Sequence, residues 1–125
     1  MPVDNGNKLA NQDELQLRQV IPIWIQEGRP ASCAFTPNSD DQGLCSLDRN
    51  SVVTPREAFE AYLAKQRMTG GCWGITVGEY SSVELDVYAD PLEDNAAHSL
   101  VDFSVHPEKT WRNKGKVLKK AASTR

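Results

Sequence analysis

The sequence predicts a small α+β domain: a mostly antiparallel sheet of four or five short strands, a central helix packed on it and a C-terminal helix. Three observations carry this prediction. Short alternations of apolar and polar residues recur, as at 15–20, 72–79 and 83–88. Thr54-Pro55-Arg56-Glu57 is a complete helix-start signature. Trp111, Leu118 and Ala122 form an apolar stripe after Pro107 near the end of the chain.

Taken in order, residues 1–12 are polar and contain Gly6 and three Asn, which predicts a flexible N-terminus. A single α+β domain spans 13–108, and a basic helix spans 109–125. Residues 15–20 form the first strand, with Arg18 on the face opposite Leu15 and Leu17. Pro22 suits the first position of a short helical turn, which Gly28 ends. Ala31 to Phe35 and Leu44 to Leu47 are strand candidates that pair across the turn-rich run Thr36 to Gly43.

At Thr54 the hydroxyl can cap the Glu57 amide while the Glu57 carboxylate reaches back, and Pro55 fits where no amide donor is needed. That helix runs to about Arg67, where Thr69-Gly70-Gly71 stops it. Cys72 to Glu79 is the strongest strand, with Trp73, Ile75 and Val77 in one row. Val83 to Tyr88 and Ala97 to Phe103 are further strands, separated by the loop Asp90 to Asn95. Pro107 and Glu108 open the last helix, whose middle Gly115 weakens by about 1 kcal/mol.

Composition excludes several classes. With 125 residues, 39% hydrophobic and 25% charged, the chain suits one globular domain. No apolar run approaches the ~20 residues that span a bilayer, and the first residues lack a secretory pattern. Cys33, Cys45 and Cys72 are odd in number and lack CxxC spacing, so they are expected as reduced thiols in a cytoplasmic protein. Residues 1–108 carry a net −10 and residues 109–125 a net +7. The basic tail could follow phosphates, but the acidic body repels the same polyanion, so nucleic acid is not an expected partner. Phosphate-loop, dinucleotide-binding, zinc-protease, hydrolase-elbow and EF-hand signatures are absent, and neither a cofactor nor a metal is implied.

Five residues are candidates for a site. His98 follows an acidic loop with Asp90, Glu93 and Asp94, which suits it to proton transfer as a catalytic acid; the plain alternative is a strand-start His bonded to a carbonyl. Arg49 and Ser46 stand near a strand end, where Arg49 could clamp a phosphate or carboxylate, or simply pair with Asp48 at the surface. Arg18 is either a half-buried anion clamp or a solvated residue. Ser32 is a ligand-binding candidate with no base nearby in sequence, and His106, before a proline, is expected to be an exposed or capping residue.

Several phrases, taken together, resemble a widespread group of short uncharacterised bacterial proteins. They are Arg18 to Trp24 with Pro22, Gly28 to Pro37, Asp41 to Arg49, and Asp90 to His98. The group tends to read R-x-x-x-P, G-x-x-S-S-x-x-F-x-P, D-x-G-L-S and D-P-L-x-D-N-x-A-H in that order. Here Cys33 stands where a second Ser is frequent and Cys45 interrupts the Leu-Ser pair, which argues against hydroxyl chemistry at Ser32. The resemblance covers residues 18–103 and implies bacterial origin and one compact domain. The function expected is an accessory or protein-interaction module, with a defence- or toxin-linked role and a protein partner from the same operon. The alternative is a small hydrolase or transferase acting on a phosphorylated or nucleotide-like substrate, with Arg18, Arg49 and His98 converging.

Overall fold

The computed structural model describes residues 5–37 and 42–124. In chain order its elements are β1 (Leu15–Gln19), a 3-10 turn (Pro22–Trp24), β2 (Ile25–Gln26), β3 (Arg29–Pro30) and a second 3-10 turn (Ser32–Phe35). There follow β4 (Leu44–Arg49), α1 (Pro55–Ala64), β5 (Cys72–Thr76), α2 (Val77–Ser81), β6 (Val87–Ala89) and β7 (His98–Asp102). A 3-10 turn (Glu108–Thr110) leads into α3 (Trp111–Ala121) and β8 (Ser123–Thr124). The fold is α+β. One six-stranded sheet has the order β6-β7-β4-β1-β5-β8, its neighbours all antiparallel, and β2 and β3 form a separate hairpin. The sixth strand, two residues long, is the one beyond the expected number.

Strand alternation sorts the side chains onto two unequal faces. Leu47, Ile75, Val101, Phe103 and Tyr80 meet Phe35 and Leu118 in the main core, beneath the 3-10 turn Ser32–Phe35, α2 and α3. On the opposite face Leu17 and Cys72 pack against Ala58 of α1, with Leu15 and Val53 at the edge of this smaller cluster. The register Leu17↔Asp48 and Asp48↔His98 puts His98 and Asp48 on this thinly covered face.

Four expectations are corrected. The first is the strand at 31–35, which is instead the 3-10 turn Ser32–Phe35. It does not pair with β4, which pairs with β7 from Leu44 to Asp48 and with β1 at Asp48 and Arg49. Its backbone groups bond locally, and the Ala34 carbonyl accepts from Arg18. The second is the strand at 72–79, which stops at Thr76. There a second capping box starts α2: Thr76 Oγ1 accepts from the Glu79 amide at 3.1 Å and Glu79 Oε1 from the Thr76 amide at 2.8 Å. In the third, the strand at 83–88 shrinks to Val87–Ala89, because Glu84 takes a left-handed turn (φ 64°) that buries Leu85. Last, Gly28 does not end the helical turn. With Glu27 (φ 54°) and Gly28 (φ 78°) it makes the two-residue turn of the β2–β3 hairpin, where paired positive φ angles match strand twist.

At the ends, Lys8 bridges to Tyr88 and the Leu9 amide donates to the Val87 carbonyl at 2.9 Å. Residues 1–4 of the expected flexible N-terminus, residues 38–41 of the expected turn and Arg125 of the basic tail lie outside the described residues. The basic helix is joined to the core: Leu118 is fully buried, and Trp111 and Ala122 pack beside it. Gly115 is buried rather than a mid-helix weakness, since a Cβ there would stand 2.6 Å from Thr36 Cγ2 and 3.1 Å from the Ser32 carbonyl oxygen.

The capping box at Thr54, with Oγ1 accepting from the Glu57 amide at 3.1 Å, gives the first prediction. Thr54→Ala should cost about 1 kcal/mol in urea unfolding; a loss below a few tenths would mean that α1 does not rely on this cap. Gly115→Ala should also destabilise, by about 1 kcal/mol or more, although alanine favours a helix by a similar amount. A more stable Gly115→Ala protein would disprove the close approach of α3 to the 3-10 turn.

Candidate functional site

The half-covered face leaves a groove of about 550 Å³ between α1, the sheet and the loop that carries Asn95. That volume is in the range of small-ligand sites. The groove brings together three of the five predicted residues: Arg18, Ser46 and His98. Arg49 and Ser32 are elsewhere.

Arg18 reaches the groove because the sheet parts there. β1 and β4 pair at Gln16↔Arg49 and Leu17↔Asp48 and no further. Past that point the Arg18 guanidinium occupies the gap: Nη1 donates to the Ser46 carbonyl at 2.9 Å and Nε to the Ala34 carbonyl at 2.9 Å. Its carbon lies 6.0 Å from the Trp24 ring centre, a cation–π distance.

His98 opens β7 across from Asp48. Its Nδ1 lies 2.9 Å from Asp90 Oδ2 and 3.1 Å from the Asp90 carbonyl oxygen. Both are acceptors, so Nδ1 carries the proton and, in the neutral ring, Nε2 presents a lone pair. The expected acidic loop thus does supply a partner, and Asp90 orients the ring as a carboxylate does in a catalytic dyad. Asp48 accepts from Asn95 Nδ2 at 2.7 Å, not from Arg49, so the suggested Asp48–Arg49 surface pair does not form. The Ser46 side chain is exposed at the groove, and no hydrogen bond joins it to His98 among the described residues.

Arg49 points to the other face. Its Nε and Nη2 donate to the two Glu14 oxygens, each at 2.8 Å, in a bidentate pair. Glu14 Oε2 also accepts from Gln16 Nε2 at 2.8 Å, and Gln16 Oε1 accepts from the Ser99 hydroxyl at 2.7 Å. The clamp expected for a ligand is therefore spent on a network that ties together β1, β4 and β7. Ser32 lies in a second hollow with Cys33, Trp111 and Arg112, away from His98. His106 is a pin: Nε2 donates to the Glu84 carbonyl at 2.6 Å, and its own carbonyl accepts from Trp111 Nε1 at 3.1 Å.

Two groove residues escaped the sequence reading. Tyr62 presents its ring from α1 beneath Arg67, whose guanidinium carbon is 5.7 Å from the ring centre. Gln19 is 7% exposed, and its side-chain amide meets the Thr69 hydroxyl at 2.8 Å. The available signal was a pair of amides, Gln16 and Gln19, in a strand of otherwise apolar residues and one arginine. No group of three or more His, Cys, Asp or Glu able to hold a metal occurs among the described residues. Cys45 and Cys72 are buried and Cys33 is exposed, with no disulfide among the described residues. No helix there is long and apolar enough to cross a membrane. Comparison with family models, curated proteins and solved structures returns no match for the chain.

The Arg49 hydrogen bonds hold the Glu14 carboxyl below the usual carboxylate range, against the upward push of burial. A carboxyl that titrates lower when folded stabilises the fold above its unfolded pKa, and this contribution is lost as pH falls through the folded value. Arg49→Ala should therefore cost about 2 kcal/mol at neutral pH, since it strands a nearly buried carboxylate. The difference from wild type should narrow below about pH 4. Chemical denaturation across that range checks both; a pH-independent difference would mean that the pair is not the source.

Proposed function

We propose that this chain is a bacterial, cytoplasmic interaction module that receives a protein partner on the thinly covered face of its sheet. The observation that carries this reading is the groove together with its rim. Leu92, 43% exposed, lines the groove, and three more large apolar residues are exposed next in sequence to lining residues: Ile23 at 81%, Met68 at 72% and Leu63 at 45%. The lining residues beside them are Trp24, Arg67 and Tyr62. Exposed apolar residues gathered about a charged hollow are what a protein interface uses: apolar area for affinity and buried polar groups for register. The resemblance of residues 18–103 to short bacterial proteins supports the bacterial origin, and the contrast between the −10 of residues 1–108 and the +7 of residues 109–125 supports an accessory role, defence- or toxin-linked, with a protein partner from the same operon.

A second reading is favoured by one observation, the His98–Asp90 pair. In a small hydrolase or transferase acting on a phosphorylated or nucleotide-like substrate, His98 Nε2 would take a proton while Arg18 meets an anionic group. Arg49 has no part in that arrangement.

Co-expression of the tagged chain with the products of neighbouring genes separates the two. The interaction reading expects a stable complex on size exclusion. Ile23→Asp combined with Met68→Asp should weaken it at least tenfold, while His98→Ala leaves turnover of phosphate esters unchanged at background. Absence of any complex, or phosphate-ester turnover that His98→Ala abolishes, would replace this reading with the enzymatic one.

A further inference from the structure

The hollow that holds Ser32 opens at the seam between α3 and the 3-10 turn Ser32–Phe35, away from the groove, and its volume is about 430 Å³. The spacing of α3 builds it. Arg112 and Lys119 are seven positions apart, so both come to the same side of the helix, about 10 Å from each other along its axis. Between them in sequence stands Gly115, where a Cβ would meet Thr36 Cγ2 at 2.6 Å and the Ser32 carbonyl oxygen at 3.1 Å. The absence of that Cβ lets the turn settle against the helix, and its Ser32, Cys33 and Thr36 form the wall facing the two cations.

The charge of this hollow has one sign. Arg112 and Lys119 are the charged residues of its lining, and no carboxylate stands among them. Neither cation belongs to an ion pair among the described residues. Lys114, on the same helix, is in contrast used by the fold, since it donates to the Val83 carbonyl at 2.7 Å. Trp111 gives the hollow a fixed apolar side. Its Nε1 donates to the His106 carbonyl at 3.1 Å, and its ring lies edge-on to Phe103 with centroids 5.9 Å apart. Two unpaired cations, a hydroxyl wall and an anchored aromatic ring thus meet in one concavity.

We propose that this hollow is a binding site for a phosphate monoester, separate from the face that receives a protein partner. A monoester carries about −1.5 to −2 charges near neutral pH, which matches the two cations; a carboxylate brings about half of that. Its three terminal oxygens suit the fork of Arg112, the ammonium of Lys119 and the hydroxyl of Ser32. The ester oxygen leads the rest of the ligand along the Trp111 side. A nucleic-acid backbone fits less well: each of its phosphates carries a single charge, and its length would lay further charges over a body of net −10. The monoester can come from a free phosphorylated small molecule or from a phosphorylated side chain of a partner, and the two sources share this chemistry.

Cys33 is the reporter for the test, because it is exposed while Cys45 and Cys72 are buried. Its alkylation by iodoacetamide is followed by mass in the folded full chain, and the Trp111 indole resonance of labelled protein is the second reporter. The probes are phenyl phosphate, N-acetyl-phosphoserine methylamide, benzoate and a single-stranded oligonucleotide without terminal phosphate. Both monoesters should slow the alkylation saturably and shift the indole, and benzoate and the oligonucleotide should do neither at equal concentration. A preference of tenfold or more for the phosphoserine derivative assigns the site to a phosphorylated partner; any smaller ratio assigns it to free phosphate esters. Arg112→Gln combined with Lys119→Gln should weaken both monoesters at least tenfold at a nearly unchanged melting temperature. Affinity should also fall several-fold between about pH 7.5 and about pH 5, as the monoester takes up its second proton. No saturable protection, equal protection by benzoate or the oligonucleotide, a pH-independent affinity, or undiminished binding in the folded double variant would overturn the proposal.

Discussion

Where β1 and β4 part company, one guanidinium takes over from the backbone ladder. The two strands share only the pairs at Gln16 and Leu17, and beyond these Arg18 supplies the donor for the Ser46 carbonyl. The same side chain holds the Ala34 carbonyl and so fixes the 3-10 turn Ser32–Phe35, against which α3 packs through the notch at Gly115. The opening of the sheet, the cover of the main core and the mouth of the groove all follow from this placement. The carbonyl of the fully buried Ala34 would be costly to leave without a donor, and a long, permanently charged side chain with several N–H groups supplies one while bridging the gap to Ser46.

The division of labour between two arginines follows from strand parity. Arg18 and Arg49 lie on the core face of adjacent strands, yet only Arg18 stands beside the gap through which a side chain can reach the other face. Arg49 sits where the ladder is closed and meets Glu14, whose oxygens take both forks of the guanidinium. Two residues of the same chemistry thus serve different ends: one closes a network that includes Gln16 and Ser99, the other keeps donors unspent.

What was legible in the sequence was what local chemistry decides. The Thr54–Glu57 start of α1, the strands at 15–19 and 44–49 and the stripe of α3 all carry their signals within a few residues. Thr76 and Glu79 carry the same T-x-x-E signal, but the apolar row Trp73, Ile75, Val77 runs into it and masks the change from strand to helix. Ser32–Phe35 has the composition of a half-buried strand; in the fold it is a turn, and the Arg18 guanidinium stands between its Ala34 carbonyl and the Ser46 carbonyl of β4, an arrangement that depends on the register of the whole sheet. Within the site, His98 could be singled out by its acidic loop, and Asp90 does hold it. Arg49 could not be told from Arg18, because the partner of one is thirty-five positions away and the gap beside the other is a matter of register. Gln19 meets Thr69 fifty positions away, and no local pattern records that.

The strand order has a consequence for how the chain comes to be folded. β1 lies inside the sheet, yet both its partners, β4 and β5, come later in the chain and are separated from it by long stretches. Only β6 and β7 are neighbours both in sequence and in the sheet. Pairings between distant segments must bear loop-closure entropy before their contacts form, which slows folding relative to local topologies. During synthesis β1 leaves the ribosome early and waits, with Leu15, Leu17 and two open edges uncovered, until β4 has been made. The strand on which the finished sheet is organised is therefore the one longest at risk of pairing with the wrong chain.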